Sequence, residues 1–355
     1  MAPWFFARSD IIKSPHRQQG RAVWILLLGL FLAGLVASAS GFIYVRHTLT
    51  TPLSTGDQLY TINRGQSLKS FLKILKQQGL IDEIYSSLAY AYWNGLTTKI
   101  KAGQYRFEDQ LTQIDMLDKI VSGDVIRHQF QFIEGWTYKM IRERLATTAL
   151  LKQELTDKST DEVMSLLGAP GQHPEGRFFP DTYSFIEGES DLDILKRAYR
   201  AMAQVLKEEW ETRDSDIPLQ TPYEALTLAS IVEKETGKAS ERPLIAGVFV
   251  NRLNLNMRLQ TDPTVIYGLG DAFDGNLKRK HLKTDNPYNT YTRKGLPPTP
   301  IAMPGRMAIR AAVQPETTKS LYFVSRGDGS HKFSVTLDQH NAAVRKYQLN
   351  GKNKS

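Results

Sequence analysis

The chain has 355 residues, 41% apolar and 23% charged, which is enough for a packed core and excludes global disorder. The absence of cysteine excludes disulfide scaffolds, CxxC redox motifs, thiolate zinc sites and cysteine nucleophiles. A mean hydropathy of −0.35 excludes a polytopic membrane protein, and the net charge of +8 is spread along the chain with no basic run of the kind that grips nucleic acid.

Residues 1–21 carry Arg8, Lys13, Arg17 and Arg21 against Asp10. From Ala22 to Val45 no side chain is charged, a stretch longer than the roughly 20 residues that cross a bilayer as a helix. Trp24 and Tyr44 stand near its ends, where interfacial aromatics belong. The positive-inside rule then makes residues 1–21 a cytoplasmic tail and residues 22–45 a single transmembrane helix, with everything beyond about residue 46 outside the cytoplasm. Ala37-Ser38-Ala39 also fits a signal-peptide cleavage site. The apolar run continues past that site, which favours the anchor.

Two following segments resemble each other. One runs Ile62-Asn63-Arg64-Gly65-Gln66-Ser67-Leu68 to Leu72, the other Phe132-Ile133-Glu134-Gly135-Trp136-Thr137-Tyr138 to Arg142. Each reads as a short strand, a Gly turn, a Ser or Thr helix cap and an amphipathic helix. Leu68, Phe71, Leu72 and Leu75 share one face of the first helix, and Gly79 stops it. Lys101 to Phe107 reads as another strand. Units of this kind resemble LysM-like modules, which bind glycan, and that resemblance makes residues 46–155 a LysM-like glycan-binding module.

The stretch from Ala146 to Pro174 is mixed and reads as a link between halves. Ser190 caps a helix from Asp191 to about Trp210, with Ile194, Leu195, Ala198, Met202, Val205 and Leu206 as its buried stripe. Thr221-Pro222-Tyr223-Glu224 is a capping box with Pro at the first helical position, opening a helix that runs to Gly237. Ala225, Leu228, Ala229, Ile231 and Val232 form its apolar face. Glu235 falls on that face, seven positions after Leu228, whereas Glu233 lies about 160° away and is expected to be wetter. A carboxyl directed into apolar surroundings has its ionised form disfavoured, the property a general acid needs near neutral pH. The other reading is a helix that frays near Gly237 and leaves Glu235 solvated.

From this helix onward the sequence resembles the YceG-like family of endolytic murein transglycosylases. The resemblance is carried by Ala229-Ser230-Ile231-Val232-Glu233-Lys234-Glu235-Thr236, by Val248 to Leu253, and by Met257-Arg258-Leu259-Gln260-Thr261-Asp262-Pro263-Thr264 to Gly268. Phe178 to Tyr183, Tyr288-Asn289-Thr290-Tyr291, Gly295 to Pro298 and the segment from Leu321 to Phe333 belong to it as well. It implies an α+β chain with a single transmembrane helix, the LysM-like module and a YceG-like catalytic domain over residues 156–355. It implies Glu235 as the catalytic acid/base and a bacterial inner-membrane enzyme with its catalytic part in the periplasm. The implied reaction cuts the β-1,4 bond between N-acetylmuramic acid and N-acetylglucosamine within nascent glycan strands and leaves 1,6-anhydro-muramic ends. One carboxyl suffices for it, because the sugar's own C6 hydroxyl attacks and no positioned water is needed.

Gln260, Thr261, Asp262, Tyr288, Asn289 and Tyr291 are candidates for sugar contact, since amide and aromatic groups suit a many-hydroxyl ligand; each has a structural reading too. Asp262 is either a helper carboxylate or a turn-capping residue before Pro263. Ser70-Phe71-Leu72-Lys73 imitates the SxxK of penicillin-recognising enzymes and Thr284-Asp285-Asn286 loosely their SDN, but the two lie over 200 residues apart and no KTG follows. His331 and His340 fit no metal-ligand spacing, so no metal or other cofactor is expected, and His331 reads as a structural hydrogen-bonding residue. The expected partners are peptidoglycan strands, the membrane and peptidoglycan synthases, not nucleic acid. The alternative reading is a non-catalytic glycan-binding scaffold that recruits synthases, for which retention of Glu235 would have no purpose.

Overall fold

The computed structural model describes residues 16–349, and the chain divides into two compact units between Ile126 and Arg127. Residues 1–15 of the expected cytoplasmic tail, with Arg8 and Lys13, lie outside the described residues.

The first unit opens with α1 (His16–Thr50), whose apolar stretch runs from Val23 to Thr50. It is longer than the charge-free segment because the helix continues through Arg46 and His47 to Leu49, which is buried. Then come β1 (Leu59–Ile62), α2 (Leu68–Gln77), α3 (Tyr85–Trp93), β2 (Gly103–Arg106) and α4 (Gln113–Ser122). Strands β1 and β2 pair antiparallel, with Tyr60 opposite Tyr105. Ser67 caps α2 by accepting from the Ser70 amide, and Leu68, Phe71, Leu72 and Leu75 point inward, as their spacing predicts. They meet Ile62, Tyr105, Phe107 and Leu117 in one core.

The second unit begins with β3 (His128–Gln131), α5 (Tyr138–Ala146), α6 (Thr160–Leu166) and β4 (Thr182–Phe185). This is again strand, helix, helix, strand, with β3 and β4 antiparallel. The likeness between the two sequence segments is thus a likeness of local structure. Gly65 and Gly135 both sit at φ +80°, the left-handed turn that lets a strand reverse into a capped helix. The stretch read as a link is instead part of this unit. Leu151, Leu155, Val163 and Met164 share a core with Phe178, Ile194 and Leu195. The expected boundary between 155 and 156 therefore moves to 126/127. The backbone groups of β3 find their partners in β4, so no division can fall between them.

The chain continues with α7 (Asp191–Glu211), α8 (Pro222–Glu235), α9 (Arg242–Asn254), α10 (Asp262–Leu269), α11 (Arg279–Lys283) and α12 (Arg306–Val313). The hairpin β5 (Tyr322–Ser325) and β6 (His331–Ser334), then α13 (Leu337–Val344), follow. Helix α8 is central and packs against α7, α9, α10 and α12. Its expected apolar face is buried, and so is the rest of it: every residue from Ala225 to Val232 is 2% exposed or less. The polar members of that run are satisfied. The Thr227 hydroxyl donates to the Tyr223 carbonyl (2.8 Å); that of Ser230 donates to Thr227 O (2.7 Å) and accepts from the Ile301 amide (3.0 Å).

That last bond joins α8 to the Pro-rich loop ahead of α12. Ser230→Ala leaves the Ile301 amide buried without an acceptor and is expected to cost about 1–3 kcal/mol in urea unfolding. A loss within a few tenths of a kcal/mol of zero would show that the bond does not hold the loop.

Candidate active site

The second unit holds a cleft of about 560 Å³ lined by α8, α9, the start of α10, the β5–β6 hairpin and α13. Glu235 lies in its wall as the last helical residue of α8; Thr236 is already extended, with φ −145° and ψ 133°. The helix ends there rather than at Gly237, but the side chain is half-buried and not solvated by fraying.

The partner of Glu235 is Thr261, whose hydroxyl donates to Glu235 Oε1. Thr261 is 2% exposed, so it is not a sugar contact. It occupies the N-cap position of α10 yet makes no cap bond. Elsewhere Ser67, Thr112, Thr137, Ser159, Ser190, Thr221 and Thr336, in the same position on their helices, each accept from a first-turn amide. Thr261 has turned its hydroxyl from its own helix to the carboxyl. It is held from behind by Thr290, whose hydroxyl accepts from the Thr261 amide (3.1 Å) and lies 2.9 Å from that of Thr264.

Burial pushes the Glu235 carboxyl up to about 7, and the nearby Asp262 charge adds to the rise. The Thr261 hydrogen bond and the charges of His331 and Arg252 pull the other way. Arg252 on α9 is 8% exposed. It spends its donors on the carbonyls of Leu321 (2.7 Å), Leu259 (2.8 Å) and Arg258 (3.1 Å), with its guanidinium 5.1 Å from the Tyr322 ring centre. His331 Nδ1 lies 2.7 Å from Glu241 Oε2, the structural hydrogen bond expected of it, and the ring also faces the cleft.

The other candidates separate into two groups. Gln260, Asp262 and Tyr291 line the cleft with Glu235. Gln260 adopts a left-handed φ of +51°, and Asp262 Oδ1 accepts from the Tyr291 hydroxyl at 2.6 Å. Tyr288 and Asn289 do not line it. The Tyr288 ring packs on Tyr267 at 4.9 Å, and its hydroxyl pairs with Thr299. Asn289 is 1% exposed; its amide donates to the carbonyls of Thr284 (2.7 Å) and His281 (3.1 Å), and its Oδ1 accepts from the Tyr291 amide (2.9 Å). It shapes the loop that presents Tyr291. Arg252, Tyr322 and His340 line the cleft without having been candidates for substrate contact; the ring of His340 stacks on Tyr322 at 5.2 Å. No cluster of three or more His, Asp or Glu suited to a metal occurs among the described residues.

Glu233 reverses its expectation. Its side chain is 5% exposed, with Oε1 accepting from Arg242 (2.8 Å) and Oε2 from the Gly305 amide at the head of α12 (3.0 Å). A Cβ at Gly305 would lie 1.8 Å from Glu134 Oε1, so a larger residue there would have to displace the Glu134 side chain. The wheel placed Glu233 away from the apolar face correctly, but that side of α8 is covered by α12 and by Arg242. Another buried carboxyl, Glu175, stands apart from the cleft. It accepts from the Tyr138 amide and the Tyr267 hydroxyl, both at 3.0 Å, and burial pushes it up to about 7.

The model of the YceG-like family matches residues 60–346. The endolytic murein transglycosylase of Bacillus subtilis (strain 168) is 33% identical over 309 residues, 81% of this chain and 83% of that protein. The protein of the same name from Streptococcus pneumoniae serotype 2 is 28% identical over 83% of this chain; the match spans 60% of the pneumococcal protein. A crystal structure of a yceG-like protein from Listeria monocytogenes, 30% identical, superposes with a TM-score of 0.53 over 80% of this chain and 98% of that one.

Three outcomes follow from the geometry. Thr261→Val removes the hydrogen bond that lowers the Glu235 pKa, so the carboxyl should titrate above its present value of about 7, with Thr261→Ser restoring it; side-chain carbon NMR reads the titration, and an unchanged midpoint in the valine variant would break the assigned link. Because Glu235 takes up its proton more readily in the fold than in the unfolded chain, its contribution to stability is lost as pH rises from about 4.5 toward 7. Glu235→Gln should flatten that slope by on the order of 1–3 kcal/mol, leaving the Glu175 share in place. Glu233→Gln, by contrast, leaves Arg242 buried beside a neutral amide and should destabilise the fold by about 3 kcal/mol or more, read as a lower urea midpoint.

Proposed function

The chain belongs to the YceG-like family, and we propose that it cuts peptidoglycan glycan strands internally, between N-acetylmuramic acid and N-acetylglucosamine, leaving 1,6-anhydro-muramic ends. The enzyme is a lytic transglycosylase, a lyase. The observation that carries the finer reading is the Glu235 carboxyl, raised to about 7 in the wall of an open cleft, with one oxygen fixed by Thr261.

In this reading neutral Glu235 donates its proton to the glycosidic oxygen as the C1–O4 bond breaks. The carboxylate that remains takes the proton of the muramic C6 hydroxyl as O6 bonds to C1. One proton is given and one recovered, so the group ends as it began and no water enters. A pKa near the working pH serves both half-steps, because neither protonation state is far out of reach. Arg252 and His331 face the charge that Glu235 carries between the steps. Gln260, Asp262 and Tyr291 contact the sugar, with Asp262 held by Tyr291. The helix α1 anchors the chain with its N-terminus in the cytoplasm and the cleft outside, and the first strand–helix–helix–strand unit holds glycan as a LysM-like module.

The test is mass spectrometry of purified glycan strands after incubation with the full chain in detergent. Anhydro ends are expected; reducing ends would make the enzyme a hydrolase and overturn the mechanism. Glu235→Gln should remove at least roughly 10²–10⁴-fold of the rate with its cooperative unfolding intact. Near-normal turnover in that variant would move the chemistry to another residue.

A further inference from the structure

The fully buried positions of helix α3 are small, Ser86, Ser87 and Ala91, all 2% exposed or less, with Leu88 and Tyr90 packed partly on the core beside them. Its solvent side carries Tyr85, Tyr92 and Trp93, which are 74%, 81% and 89% exposed. Tyr85, Ala89, Tyr92 and Trp93 fall within about 100° of one another around the helix axis, so the aromatics form one stripe. A soluble surface seldom keeps such a stripe bare.

The stripe borders the outer end of α1. An apolar groove of about 470 Å³ is formed by Phe42, Val45 and Leu49 of α1, Ala89 and Trp93 of α3, and Ile114 of α4, with Arg46 at its rim. The height of this groove can be read along α1. About 20 residues at 1.5 Å each cross the hydrocarbon layer, which takes the helix from Val23 to about Phe42. The following turns, to Thr50, rise through the headgroup layer, and these are the turns against which α3 packs. Tyr and Trp rings, apolar in body and polar at one edge, gain most at that depth.

We propose that the Tyr85, Tyr92 and Trp93 face of α3 is a membrane-interface surface, seated among the phospholipid headgroups of the leaflet from which α1 emerges, with acyl-chain ends in the groove and Arg46 against lipid phosphate. The proposal rests on the reading of α1 as a membrane-spanning anchor. It makes the first unit a two-point attachment, with α1 crossing the bilayer and α3 lying on it.

The absence of native cysteine allows a test on the full chain with single nitroxide labels. Labels are placed at Tyr92→Cys, at Phe31→Cys within the span, and at Ser165→Cys on an exposed helix of the second unit. The protein is set in nanodiscs of phosphatidylethanolamine and phosphatidylglycerol, and collision with oxygen is compared with collision with a nickel chelate. The expected oxygen-to-chelate ratio at residue 92 lies several-fold above that at residue 165 and below that at residue 31. A ratio at 92 equal to that at 165, with 31 deep in lipid, would overturn the proposal and leave the anchor standing. A water-like ratio at 31 would remove the anchor and the proposal with it. Shielding of residue 92 from both reagents, with spin–spin coupling between copies, would assign the face to a second copy of this chain and overturn the lipid assignment.

Discussion

A carboxyl drawn into an apolar wall loses hydration that only a partner can replace, and the choice of partner decides what the carboxyl can do. Helix α8 shows both outcomes two residues apart. Glu233 is given a guanidinium and a backbone amide, which occupy both of its oxygens and tie α8 to α9 and α12. Glu235 is given a single hydroxyl, which orients it without settling its charge. The cleft depends on that difference, and the difference depends on the burial of α8. If the helix shifted or turned, the two carboxylates would be presented to each other's surroundings. The run of buried residues from Ala225 to Val232, closed by satisfied Thr and Ser hydroxyls, resists such movement.

The elements around α8 supply orientation more than charge. The charge of Arg252 acts on Glu235, yet its shortest hydrogen bonds go to backbone carbonyls that hold the α9–α10 loop and the hairpin strand in place. Its field reaches the carboxyl while its hydrogen bonds do not. That arrangement moderates the rise caused by burial without pinning the group in its ionised form. Asp262 works in the opposite sense, and the Tyr291 hydroxyl bonded to it keeps its carboxylate directed along the cleft.

Much of this was legible in the residues. The Ser67, Ser190 and Thr221 caps, the inward faces of α2 and α7, and the strand at Gly103–Arg106 follow from local chemistry that tertiary packing does not override. Glu235 was legible because seven positions separate it from Leu228, a spacing that survives wherever the helix ends. Glu233 was misread because a wheel assigns faces by composition. It cannot know that a polar side will be covered by a helix arriving from residues 306–313 with an arginine between. The contents of residues 127–155 were misassigned for a related reason: β3 has its partner more than fifty positions downstream, and no local signal announces such a pairing. Tyr288 and Asn289 carry groups that suit sugars, but loop organisation needs the same groups, and sequence does not say which demand came first.

The uncapped N-terminus of α10 makes the site dependent on a neighbouring loop. A helix that forgoes its cap gives up about 1 kcal/mol, here to hold a carboxyl in place, and Pro263 in the first turn recovers only part of this by pre-setting the backbone. The turn is held instead from the loop at residues 288–291: the Thr290 hydroxyl accepts from the Thr261 amide and pairs with the buried Thr264, and the Tyr291 hydroxyl bonds Asp262. Thr261 and Asp262 therefore both reach Glu235 by way of that one loop, and a change in its shape moves the two together.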